Sequence, residues 1–157
     1  MQTDGQLVRH LLELLRGGHA HTTFDDAVKG IPIAKAGVRP PGAAYSCWEL
    51  VEHIRIAQHD ILKFSQGPKW KSPKWPEGYW PKSPKPAGAA KWRKSLNAVR
   101  TDLKAFEKLL RERVGELETP FRWGDGQTLL REALLIADHN AYHIGQLVLV
   151  RRLLGIW

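Results

Sequence analysis

The stretch Ile136-Ala137-Asp138-His139-Asn140-Ala141-Tyr142-His143-Ile144-Gly145-Gln146-Leu147-Val148-Leu149-Val150 decides how this chain is to be read. Ile136, His139, His143, Gln146 or Leu147, and Val150 recur at intervals of three and four residues, the period of one helix face. Two histidines therefore stand one turn apart on the same stripe as core residues. Extended toward the amino end, Leu129 and Glu132 join that stripe. The helix is predicted from about Thr128 to Leu154, behind the turn formers Gly124, Asp125 and Gly126.

Working outward, a second long helix is predicted from about Ala89 to Val114, with Leu96, Val99, Leu103, Phe106 and Leu110 as its buried stripe. A third begins at Ser46, where Glu49 three positions later has capping-box spacing, and continues to about Ser65 before Gly67-Pro68. Its inward stripe reads Leu50, His53, Ala57, Ile61 and Phe64, so a histidine again sits among apolar residues. A fourth covers about Gln2 to Arg16, with Leu7, Leu11, Leu14 and Leu15 on one side and Gly17-Gly18 as its stop. A short piece from Thr22 to Val28 is capped by Thr22 or Thr23, and residues 31–44 have the proline and glycine content of a connector. No strand-like alternation of any length occurs. The expectation is an all-α fold, a four-helix bundle forming one domain over residues 1–157.

Residues 67–88 stand apart. Pro-Lys-Trp occurs at 68–70 and 73–75, Lys-Ser-Pro-Lys at 71–74 and 82–85, and six prolines lie between Pro68 and Pro86. Neither a helix nor a central strand passes through such a run. It reads as a long loop with Trp70, Trp75, Tyr79 and Trp80 as candidate anchors, and loops of this length are functional or cover something. It also explains the charge. Of a formal net charge of +8, eight basic residues and only Glu77 fall between Pro68 and Lys94. The charge belongs to one loop and its border, which argues against nucleic acid as the expected partner.

With 157 residues, 43% hydrophobic and 25% charged, the chain has the composition of a folded globule. One cysteine, Cys47, excludes an intramolecular disulfide and points to a reducing, cytoplasmic setting. The amino end does not read as a signal peptide, and no apolar run approaches the ~18 residues that span a bilayer. Cys47 itself reads as a structural thiol, since free cysteine is commonly buried.

The chemistry lies in the histidines. Spacing of i and i+4 puts His139 and His143 where two ligands of one cation must be. His53 sits mid-stripe on another helix. A buried neutral imidazole needs a partner for each ring nitrogen. Either a single ion satisfies one nitrogen of all three, or each is a core or cleft histidine that finds a carbonyl or hydroxyl. Glu49, Asp60 and Glu132 are near enough in sequence to orient a ring, or they serve as cap and solvated flank. His59 is about 120° around the helix from His53 and does not share its ion. His19 and His21 follow the Gly17-Gly18 break, and His10 faces water.

The run Asp138-His139-Asn140-Ala141-Tyr142-His143-Ile144-Gly145-Gln146 closely resembles the fourth-helix motif of the DinB/YfiT-like superfamily, and Trp48-Glu49-Leu50-Val51-Glu52-His53 resembles its second-helix motif. Element order matches as well, and the similarity covers nearly the whole chain except the Trp/Lys/Pro segment. The resemblance implies an up-down-down-up four-helix bundle and a divalent metal, zinc or nickel, held by His53, His139 and His143. It implies a metal-dependent enzyme of the thiol S-transferase or hydrolase type acting on a small molecule, with a low-molecular-weight thiol as co-substrate in the first case. The alternative is a metal- or ligand-binding stress-response module without turnover. Apolar bundle faces are compatible with a homodimer.

Overall fold

The computed structural model describes residues 2–157; Met1 of the expected domain lies outside them. Four long helices carry the fold: α1 (Gln2–Arg16), α4 (Cys47–Gln66), α5 (Ala89–Glu112) and α6 (Leu129–Leu153), with the short α2 (Phe24–Val28) and α3 (Ile33–Ala36) between the first two. No strand occurs among the described residues. Helix α4 starts as its capping box dictates: the Glu49 amide donates to Ser46 Oγ and the Glu49 carboxylate accepts from the Ser46 amide. Thr23 caps α2 and Thr128 caps α6 with the side-chain oxygen alone, which accepts from the Asp26 and Arg131 amides.

Two sequence expectations need correction. The connector at 31–44 contains the one-turn α3, Ile33-Ala34-Lys35-Ala36, behind Pro32 as an extended N-cap whose carbonyl accepts from the Lys35 and Ala36 amides. Helix α5 stops at Glu112 rather than Val114, where the chain tightens into a 3-10 turn over Val114–Glu116.

Helices α4 and α5 run in the same direction. Trp48 meets Trp92, Gln58 reaches the Val99 carbonyl, and His59 meets Asp102, so numbers rise together along the pair. Helix α6 runs the other way along α4, with His143 beside His53 and Asn140 beside Gln58. Two same-direction helices in sequence need a return connection, and residues 67–88 supply it as a strap laid back along α4. Trp70 Nε1 and Tyr79 OH both donate to the Asp60 carboxylate (2.7 and 2.6 Å). Further along, Trp48 Nε1 donates to the Ser83 carbonyl and Ser46 Oγ to the Pro84 carbonyl. The linker meets the strap at Gly37, where any Cβ would collide with Lys85. Of the four aromatic anchors expected in the strap, Trp75 is not one: it is 70% exposed.

The apolar core has two parts. One gathers Val51, Ile54, Leu96, Val99, Ile144 and Leu147 around α2 and α3. The other gathers Leu11, Ile61, Phe106, Leu110, Leu129 and Ile136 around α1. Between them, along α4 and α6, lies a polar layer that contains Gln58, His139 and Asn140. No helix of the described residues is long and apolar enough to cross a membrane.

Candidate metal centre

Helix α4 delivers His53 and α6 delivers His139 and His143 to one spot. One ring nitrogen from each can be chosen so that the three lie within 4.8 Å of one another. His53 and His143 are buried and His139 is half-buried. The ring centroids are 4.5 to 4.8 Å apart in all three pairings, and His53 Nε2 lies 3.0 Å from His139 Nε2.

The other nitrogen of each ring faces an oxygen. His53 Nδ1 is 2.8 Å from the Tyr79 carbonyl, His143 Nδ1 is 2.7 Å from Gln146 Oε1, and His139 Nδ1 is 3.4 Å from Asn140 Oδ1. A carbonyl only accepts, so His53 carries its proton on Nδ1 and turns the Nε2 lone pair toward the cluster. Two nitrogens at about 3.3 Å separation are what a tetrahedral ion with 2.0–2.1 Å bonds requires. The donor set therefore fits a divalent ion with imidazole ligands, and the Nδ1 contacts are of the kind that orient metal-bound histidines.

Electrostatics keep the rings neutral. Burial pulls His139 down to about 4, with His143 and His53 adding to the effect. Burial also lowers His53 and His143, against the opposing pull of the Tyr79 carbonyl and the Gln146 amide. Neutral imidazole is the form that binds a cation.

The strap closes one side of the centre. Trp80 stacks on His53 with centroids 3.9 Å apart and planes 2° apart, and Tyr45 stacks on the far face of Trp80 at 4.0 Å. Tyr142, 64% exposed, stands edge-on to His143.

Each residue anticipated from sequence now has a place. His53, His139 and His143 come together. Of the two readings of the nearby carboxylates, Glu49 takes the helix cap and pairs with Arg39, while Asp60 is a buried anchor of the strap rather than a solvated flank and Glu132 pairs with Arg131. Carbonyl and amide oxygens orient the rings instead. His59 is turned away, its Nδ1 2.9 Å from Asp102. His21 faces a separate cleft of about 220 Å³ between α1 and α5, whose wall includes Gln58, Val99 and Asn140. Cys47 is fully buried, and burial pushes its thiol up to about 11, which removes it as a nucleophile at neutral pH.

Sequence reasoning missed Tyr45, Gln58 and the Tyr79 carbonyl. A backbone carbonyl carries no sequence signal. Gln146, by contrast, lies three residues after His143 on the same helix, and that spacing alone puts it within reach.

Among known proteins, a family model described as the DinB superfamily matches residues 18–147. No curated protein matches the chain. No solved structure matches it either.

Proposed function

Since the chain belongs to the DinB superfamily, we propose that His53, His139 and His143 hold one divalent ion, zinc or nickel, in an enzyme of the thiol S-transferase or hydrolase type. The four long helices are read as an up-down-down-up bundle forming one domain. The observation that carries the reading is the convergence of three neutral imidazoles, each with Nδ1 at an oxygen, on one small volume.

Imidazole suits zinc and nickel, and three neutral ligands leave the ion its full charge. Bound there, the ion supplies Lewis acidity, so that a water or a low-molecular-weight thiol on it loses its proton more easily. The chain's own residues do the rest. The Tyr79 carbonyl and Gln146 fix the orientation of His53 and His143. Trp80 and Tyr45 exclude solvent from the α4 side with a stack of three rings. Tyr142 marks the open rim, where a small electrophile approaches the half-buried His139. The Nδ1 partners of the three rings are a backbone carbonyl and two amide oxygens, none of which carries a charge that would offset that of a bound ion.

The test is metal content by elemental analysis on protein purified without a nickel column, alongside His139→Ala and His143→Ala. About one ion per chain in the parent and none in either variant is the expected result. Loaded protein is then assayed with small electrophiles, with and without added thiol. Turnover that requires thiol assigns transfer, and turnover in water alone assigns hydrolysis. A fully loaded protein with neither activity is the non-catalytic module. No ion after dialysis against zinc and nickel overturns the reading.

A further inference from the structure

Three hydrogen bonds behind the centre form a chain with only one consistent direction. It begins at the Val99 carbonyl on α5, an atom that only accepts. Gln58 Nε2 donates to it at 2.7 Å, so Gln58 must turn its Oε1 the other way. Asn140 Nδ2 donates to that oxygen at 2.8 Å, so Asn140 turns its own Oδ1 toward His139. An oxygen facing His139 Nδ1 at 3.4 Å favours a proton on that nitrogen and leaves Nε2 as a lone pair. Gln58 is 1% exposed and Asn140 8%, and an amide flipped in either place would oppose two oxygens.

We propose that Gln58 and Asn140 are positioning residues: the Val99–Gln58–Asn140 chain sets the His139 tautomer so that its Nε2 cannot cap the neighbouring imidazole. This rests on the reading of His139 as a metal ligand. The alternative tautomer is attractive in isolation. His53 Nε2 is already a lone pair and lies 3.0 Å from His139 Nε2, so a proton on His139 Nε2 would make a good hydrogen bond between the rings. That bond would close the cluster on itself. The chain from Val99 opposes it and keeps two lone pairs face to face, an arrangement that a cation relieves. The pairing of α5 with α4 thus reaches the centre, although α5 contributes no ligand to it.

The tautomer is read directly from the ring nitrogen-15 shifts of the histidines in chelator-treated protein at neutral pH, where the lowered pKa values keep all three rings neutral. The expected result is His139 protonated on Nδ1. In Gln58→Met, which keeps the volume and removes the amide, Asn140 is released. His139 is then expected to move its proton to Nε2, and zinc affinity is expected to fall roughly 10- to 100-fold. A parent protein with His139 protonated on Nε2 overturns the proposal, and that reading needs no variant. So does a Gln58→Met protein that is folded, with tautomer and zinc affinity unchanged. If no zinc binds to the parent while the tautomer shifts as expected in the variant, the metal reading falls and the relay stands. If zinc binds and the tautomer is wrong, the relay alone falls.

Discussion

Helix α4 carries a histidine on each of two faces, and the two could hardly be treated more differently. His53 looks toward α6, where its Nδ1 meets a backbone carbonyl and an indole lies flat on the ring. His59 looks toward α5, where its Nδ1 meets the Asp102 carboxylate at 2.9 Å and Trp70 stands edge-on. A backbone carbonyl only accepts and so fixes the His53 proton on Nδ1, whereas Asp102 ties His59 to α5 and away from the cluster. Residue type is the same on both faces; the oxygen beside Nδ1 decides what the ring can do.

The sharpest way to break this contrast is to remove the two rings separately. His53→Ala is expected to lose bound metal below detection, and His59→Ala to retain about one ion per chain, both read by elemental analysis after dialysis. Equal loss in both would mean that the carbonyl-held and carboxylate-held faces are not chemically distinct. In stability His59→Ala should cost less than about 1 kcal/mol, because both partners of its contact with Asp102 are partly exposed.

A smaller effect tests how the carbonyl comes to be there. Asp60 holds both Trp70 and Tyr79, and the Tyr79 carbonyl is the one that His53 uses. Asp60→Ala leaves two donors without their acceptor and is expected to cost about 3 kcal/mol in urea denaturation. It should also weaken zinc binding, since the strap no longer fixes Tyr79. A variant as stable and as tight as the parent would show the strap to be held by its other end alone.

The smallest effect is a drift with acid. In the unfolded chain His139 takes up a proton as pH falls through about 6.5, whereas in the folded protein it resists until about 4. Between those values the unfolded state binds more protons, so stability of the metal-free protein rises with pH across that window. The contribution of this ring is fully present above about pH 6.5 and is lost as pH falls through about 4. Denaturation midpoints at several pH values measure it, and His139→Gln should flatten the curve.

The helices were legible from sequence because their stripes repeat every three to four residues and their starts carry caps; Ser46, Thr23 and Thr128 act as local chemistry says they must. The family match over residues 18–147 bears out the resemblance carried by the motifs around His53 and His139. What stayed hidden depends on distant partners. Proline content keeps an α-helix from passing through 67–88, where only one 3-10 turn forms at Glu77–Tyr79, but says nothing of which tryptophan folds inward, so Trp75 and Trp80 look alike in sequence. One is exposed and the other stacks on His53. Sequence placed three carboxylates near enough to orient a ring and left open that they serve as cap and flank. In this molecule Glu49, Asp60 and Glu132 are engaged with a helix cap, a strap and an arginine.

The strap has a consequence for how the molecule is assembled in time. Its bonds to α4 join residues 10 to 38 positions apart, as in Trp70 with Asp60 and Ser46 with Pro84. The contacts that complete the centre are far longer in sequence: 82 positions from Gln58 to Asn140 and 86 from His53 to His139. Loop closure favours the short separations first. Residues 46–84 can therefore organise while the rest of the chain is still searching, with His53 already oriented by Tyr79 and covered by Trp80. Docking of α6 then brings the remaining two rings, so a competent centre is a marker that α6 has settled on α4.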